Sequence, residues 1–229
     1  TRYNWRMNKV FNPETASHEG AALRGDYSNA RDDYSIRQDW SAYTDADHAL
    51  WRKLFQRQIS LVPGYACAEF RAGLDKLDCA DSVPDFDKAS ERLRAASGWE
   101  LVAVPGLIPD DAFFKHLAGR RFPVTSWLRK PEEVDYLVEP DVFHDFFGHL
   151  PIISDPVFAD FLQLYGKLGL EAEKRGAVKY LARLYWYTVE FGLIRRDGQL
   201  RSYGAGILSS AGETPYAVEI QKPARVKFD

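Results

Sequence analysis

A chain of 229 residues with a net charge of −3 is long enough for one domain with a full apolar core, and it has no basic excess with which to hold a phosphate backbone. No apolar run approaches the roughly 20 residues a spanning helix needs, and the polar N-terminus lacks the apolar core of a signal peptide, so nucleic acid and membrane are both set aside as partners. Six Trp, twelve Tyr and 45% hydrophobic residues predict aromatic-lined interior surfaces, while Cys67 and Cys79, scattered and without C-x-x-C spacing, fit inert thiols in a reducing cytoplasm.

Residues 1–40 are polar, rich in Asn, Asp, Arg and Ser, and lack periodicity, which predicts a weakly ordered arm; His18 lies there without a partner in view. Thr44 then opens a capping box with Asp47, and Trp51, Leu54, Phe55 and Gln58 recur at helical spacing, predicting a helix over about 45–61 with His48 exposed in its first turn. Pro63-Gly64 breaks it. A second helix carries Phe70, Leu74 and Leu77 on one stripe. A third starts at Val83-Pro84-Asp85, buries Phe86, Ala89, Leu93 and Ala96, and closes at Gly98.

Trp99–Val104 reads as a short strand and Pro105-Gly106 as the turn after it. Pro109-Asp110-Asp111 begins a helix holding Phe113, Phe114 and Leu117, with His116 on its solvated side, and Phe122–Trp127 is a second extended piece. Asp155-Pro156 starts a helix that uses Phe158, Phe161, Leu162 and Tyr165. Another runs from about Val178 to Gly192. Asp197-Gly198 between extended flanks signals a hairpin, and a Gly-rich segment, Tyr203–Ser210, follows. Most elements are helices and the strands are few, so the predicted fold is mainly α with a small β component in a single domain, residues 41–229.

The chemistry concentrates in Glu139-Pro-Asp-Val-Phe-His-Asp-Phe-Phe-Gly-His149, which packs two of the five histidines into six residues. Two imidazoles so close can share a metal if the backbone lets them converge. On an ideal helix, positions five apart lie about 140° apart around the axis, so the turn bearing His144 and His149 must be distorted. Gly148 is placed to relax it and Pro151 to end regular helix. A third ligand is needed. Glu190 sits in the apolar stretch Tyr185-Trp-Tyr-Thr-Val-Glu190-Phe-Gly-Leu with no cation three or four residues away, and a carboxylate buried there favours a cation beside it. Two His and one carboxylate with open positions is the ligand set of non-haem iron(II) oxygenases.

Three stretches, Glu139–His149, Leu184–Leu193 and Tyr203–Ser210, resemble in order and spacing the signature segments of the pterin-dependent aromatic amino acid hydroxylases. The likeness covers roughly Thr44 to Ser210 and implies the hydroxylase catalytic-domain fold. It implies iron(II) on His144, His149 and Glu190, and a tetrahydropterin such as tetrahydrobiopterin stacked on Phe113, held by backbone around Leu107 and Ile108, with Asp145 reaching it through water where the family often has Glu. By the same resemblance Arg129 grips the substrate carboxylate, and Tyr136, Trp186, Phe191, Gly206 and Ser209 line its pocket. Leu137-Val138 stands where animal members have Thr-Pro, so that threonine's contact is not carried over.

The implied reaction is para-hydroxylation of L-phenylalanine to L-tyrosine with dioxygen, by a cytoplasmic monomer expected to lack the family's C-terminal segment. Tyrosine and tryptophan hydroxylases of the same family share the three ligands and remain alternatives. Outside that class, a zinc hydrolase is disfavoured because the run is not H-E-x-x-H and no Glu follows the first histidine. A metal-stabilised binding module without turnover is the other alternative.

Overall fold

The computed structural model describes residues 24–135, 137–220, 225 and 227. Its first helix, α1 (Asp45–Ile59), begins where the capping box predicts: Thr44 Oγ1 accepts from the Asp47 N–H at 3.2 Å and Asp47 Oδ2 from the Thr44 N–H at 2.8 Å. Pro63-Gly64 does not simply interrupt the chain. It forms a one-turn helix, α2 (Val62–Tyr65), because proline is tolerated in a first helical turn. Then come α3 (Ala68–Leu77) and α4 (Phe86–Ser97), the latter capped by Asp85 and ended by Gly98 at φ +76°, the left-handed conformation expected of a glycine there.

Strands β1 (Glu100–Val104) and β2 (Arg121–Thr125) pair in parallel with Leu101 opposite Phe122, joined by α5 (Asp110–Ala118). After them stand α6 (Leu150–Ile153), α7 (Pro156–Lys174), capped by Asp155, and α8 (Val178–Tyr185). The expected helix to Gly192 thus keeps its α pitch only to Tyr185, for a reason that belongs to the site below. Strands β3 (Leu193–Arg196) and β4 (Gln199–Ser202) form the predicted hairpin. Asp197 and Gly198 both have positive φ, 50° and 75°, which gives the turn a twist matched to the strands. Two short helices, α9 (Ala205–Leu208) and α10 (Glu213–Glu219), complete the described fold.

One continuous apolar core runs from α1 to α9, centred on fully buried Trp51, Phe70, Phe143, Phe146 and Phe147. The Trp51 indole donates to the Cys79 carbonyl at 2.7 Å, which satisfies the polar edge of a ring otherwise enclosed by carbon. Both cysteines are free and buried, and burial pushes their thiols up, to about 11 for Cys67 and about 12 for Cys79, so neither is a ready nucleophile.

Three expectations are corrected. Of the polar arm, residues 24–40 are pinned to the body: Ser35 is buried, the Ile36 N–H donates to the Ala103 carbonyl at 2.8 Å, and the Trp40 indole donates to the Val83 carbonyl at 2.7 Å. Composition misses such bonds because they are made by a few specific donors in a polar background. His18 lies outside the described residues. His116 is fully buried rather than solvated, since its Nε2 bonds the Asp33 carbonyl of that same arm at 2.8 Å. His48 is half-buried, its Nδ1 accepting from the Val83 N–H at 3.2 Å.

Helices α5 and α7 approach closely through glycines: a Cβ on Gly166 would lie 2.5 Å from the Ala118 backbone nitrogen. Gly166→Ala is expected to cost about 1–3 kcal/mol in a urea denaturation curve, because backbone rather than a flexible side chain must give way. Gly64→Ala, with nothing within 4 Å, should stay within about 0.5 kcal/mol of wild type.

Candidate metal centre

The distortion that the histidine spacing demands is a π turn. His144–His149 is wound in the i→i+5 pattern, which brings residue i+5 back over residue i, and such turns are frequent at functional sites. Gly148 serves it differently from the sequence reading. Its φ is not positive, and a Cβ there would lie 3.0 Å from both the Cβ and the carbonyl oxygen of Ala205, so the glycine admits close approach of α9. Pro151 falls in the first turn of α6, and the helix continues past it to Ile153.

Glu190 is delivered by the same device. The α8 helix passes into a π turn, Trp186–Glu190, closed by the Phe191 N–H on the Trp186 carbonyl at 2.9 Å. Ligand atoms of His144, His149 and Glu190 lie within 4.8 Å of one another: His149 Nε2 is 3.2 Å from Glu190 Oε1, and His144 Nε2 is 3.6 Å from Glu190 Oε2. Ser209 Oγ sits 2.8 Å from His144 Nδ1 and so fixes the ring with Nε2 facing the carboxylate. Ser209 therefore acts on the imidazole, whatever it also lends to the pocket.

The protonation states suit a cation. Burial lowers the His144 imidazole below its usual value, outweighing the pull of Glu190, so the ring is neutral and its nitrogen free to coordinate. Burial acting alone would push the Glu190 carboxyl up, yet His149, His144 and the Gly206 backbone together hold it below the usual range. An anionic carboxylate facing two imidazole nitrogens inside the protein is a donor set that a divalent ion completes, and iron(II) fits it.

Around the triad the other predicted residues divide. Phe113 packs edge-on against Tyr185, centroids 5.6 Å apart, and Tyr185 is 6.2 Å from the His149 ring, so an aromatic chain joins it to the metal ligands. Leu107 and Ile108 follow β1 in the loop that leads to α5. Asp145 is buried with Oδ2 taken by the Thr125 N–H at 2.8 Å, and burial raises its carboxyl. The Trp186 and Phe191 rings lie 4.5 Å apart. Gly206 leaves the room a side chain would take, since a Cβ would lie 3.1 Å from Phe191 Cζ and 3.2 Å from Glu190 Oε2. Tyr136 lies outside the described residues.

Arg129 already has a partner within the protein. It is 7% exposed, and Nε and Nη2 form a two-pronged bond with Asp141 at 2.8 Å each. The fork assigned to a substrate is thus taken by the protein, and Nη1 is the prong outside that pair. Asp141, fully buried, also accepts from the Arg129 N–H at 2.9 Å and the His144 N–H at 3.0 Å. Sequence reasoning missed it. The signal was its position three residues before His144, where an Asp caps a helical turn by accepting a backbone N–H.

These contacts yield two outcomes for measurement. Ser209→Ala should weaken Co(II) or Fe(II) binding about 10–100-fold by freeing the His144 ring, and Glu190→Ala by more, as read by metal titration of the folded proteins. Arg129→Met should cost about 3–5 kcal/mol in chemical denaturation, because it strands the Asp141 carboxylate in the interior.

The comparisons with known proteins agree with this geometry. The profile of a family described as biopterin-dependent aromatic amino acid hydroxylase matches residues 27–229. The chain is 57% identical over 203 residues to phenylalanine-4-hydroxylase of Chromobacterium violaceum, covering 88% of this chain and 68% of that protein. It is 54% identical over 205 residues to the Ralstonia nicotianae enzyme of the same name, covering 89% and 66%. The chain thus spans about two thirds of the length of these relatives. A crystal structure of the C. violaceum protein with iron(III) and 7,8-dihydrobiopterin superposes with a TM-score of 0.83 over 86% of this chain and 72% of that one, at 57% identity. Another, bound to iron and phenylalanine, gives 0.81 at 56% identity, over 86% and 71%. With a mainly helical fold and a two-histidine, one-carboxylate centre on paired π turns, the chain belongs to the biopterin-dependent aromatic amino acid hydroxylase family.

Proposed function

We propose that this chain carries the catalytic centre of an iron- and tetrahydropterin-dependent monooxygenase that converts L-phenylalanine to L-tyrosine with dioxygen. The observation that carries the reading is the convergence of His144, His149 and Glu190 within 4.8 Å in a chain 57% identical to a phenylalanine-4-hydroxylase. Similarity to a tyrosine 3-monooxygenase of Drosophila melanogaster is lower, 37% over 181 residues, which favours phenylalanine over tyrosine as substrate.

Iron(II) and the tetrahydropterin, when bound, supply the electrons that reduce dioxygen, so that one oxygen atom reaches the substrate ring. The chain supplies position and environment. His144, His149 and Glu190 hold the metal from one side and leave coordination positions open on the other. Ser209 keeps the His144 ring turned to the metal, and the buried Arg129–Asp141 pair keeps the first residue of that π turn in place. Phe113 offers a flat face for the pterin, with Leu107 and Ile108 supplying backbone groups and Asp145 a buried carboxyl. Trp186 and Phe191 form an aromatic wall for the substrate ring, Gly206 leaves it space, and Arg129 Nη1 is the cationic prong left for its carboxylate.

Zinc hydrolysis is a weaker reading, since the acid after His144 is Asp145 and one of its oxygens is spent on the Thr125 N–H. The proposal includes a cytoplasmic monomer acting on small molecules. Two free, buried thiols suit a reducing compartment, and no described helix is long and apolar enough to cross a membrane.

The test is tyrosine formation from L-phenylalanine with iron(II), oxygen and a tetrahydropterin. Product should appear only with the pterin present and fall to background in Glu190→Ala. Absence of tyrosine from the folded, iron-loaded wild type would sink the substrate assignment.

A further inference from the structure

The loop between β1 and α5 is gripped from one side by the strap at residues 24–36. Tyr27 Oη donates to the Leu107 carbonyl at 2.8 Å. A Cβ on Gly25 would lie 2.4 Å from the Pro105 carbonyl oxygen, and one on Gly106 would lie 3.0 Å from Tyr27 Oη, so strap and loop meet with no room for a side chain between them. The strap is itself anchored. Arg24 forms an ion pair with Glu133, His116 holds the Asp33 carbonyl, and the Ile36 N–H bonds Ala103 at the end of β1. Burial, with Glu139 and Tyr34 adding to it, pushes the Tyr27 phenol up to about 12, so it stays a donor throughout the working pH range.

Peptide planarity carries this grip across the loop. In a trans peptide the carbonyl and the following N–H point in opposite directions, and the described chain has no cis bond. Fixing the Leu107 carbonyl on Tyr27 turns the Ile108 N–H to the face away from the strap. Ile108 is buried, and its N–H has no acceptor among the described residues. Backbone donors in buried residues are nearly always paired, so this one is available to a ligand or a bound water.

We propose that Tyr27 is a positioning residue for the pterin: by holding the Leu107 carbonyl it presents the Ile108 N–H as a preset donor to an acceptor on the edge of the pterin ring. This rests on the placement of the pterin at Leu107, Ile108 and Phe113 given above. Without the bond, the loop must order its own peptide each time the cofactor binds, which weakens binding without touching the metal.

The test is Tyr27→Phe, which removes one oxygen atom and keeps the ring. Bound to the metal-loaded protein, 7,8-dihydrobiopterin should lose affinity about three- to tenfold by calorimetry, the range for one hydrogen bond's worth of order. Amide exchange at Leu107 and Ile108 should quicken, and the KM for tetrahydropterin should rise while the KM for L-phenylalanine and the Co(II) affinity hold. A dihydrobiopterin affinity within about twofold of wild type would overturn the proposal, as would a Co(II) affinity that fell in parallel, since that marks general loosening. Phe113→Leu separates the two levels of inference. If it weakens dihydrobiopterin and Tyr27→Phe does not, Tyr27 alone is misassigned; if neither does, the pterin placement itself fails.

Discussion

Everything at the metal centre depends on the pitch of the backbone between His144 and His149. An α pitch sends the two imidazoles to different sides of the helix, and only the wider i→i+5 winding turns both toward Glu190. That winding is rare and is held by what packs against it. On its inner side Phe143 and Phe147 stack at 5.1 Å, Trp51 meets Phe143 and Phe146 edge-on, and Phe55 and Phe70 close on Phe147. These rings leave no space into which the turn can rewind. At its start Asp141 accepts the His144 N–H, and on its outer side Gly148 lets α9 come close enough to bring Ser209 to the His144 ring. Glu190 depends on the same kind of winding, imposed where α8 runs into β3.

The electrostatics follow from that enclosure. Two groups of the triad, both largely enclosed, are held in the state a cation needs: His144 neutral through burial, Glu190 ionised through its neighbours. The second buried ionic group, Arg129 with Asp141, is saturated by comparison. Asp141 receives four hydrogen bonds from two residues, so its charge is compensated within the protein, while Arg129 Nη1 stays outside the pair. The contrast is one of charge: the triad is short of positive charge, and the pair beside it is not.

The parallel strands explain how these parts share one location. Open parallel units bind ligands beyond the carboxyl ends of their strands. Here β1 ends at Val104 and releases the loop with Leu107 and Ile108, while β2 ends at Thr125, whose N–H holds Asp145, and runs on to Arg129. Two strands of five residues therefore place the proposed pterin loop, the residue after the first ligand and the arginine pair in one region. The strap at 24–36 closes over the edge of this unit and ties it to α5 through His116.

The local code was legible to the extent that it is local. The capping box at Thr44, Asp155-Pro156, Gly98 and Asp197-Gly198 each act within a few residues, and each stands where the sequence puts it. The metal ligands were legible too, because two histidines in an apolar run and an uncompensated Glu190 are costly unless something binds them. Their spacing even required a distorted turn. Tertiary structure decided what no window of sequence contains: that polar residues 24–40 are fastened to the core, that His116 is buried to hold them, and that the Arg129 fork closes on Asp141. Each of these turns on a hydrogen bond between groups brought together by the fold, and residue type alone does not say whether a guanidinium is paired within its own chain. The sequence determined which residues must be neutralised, and only the packed structure determined by whom.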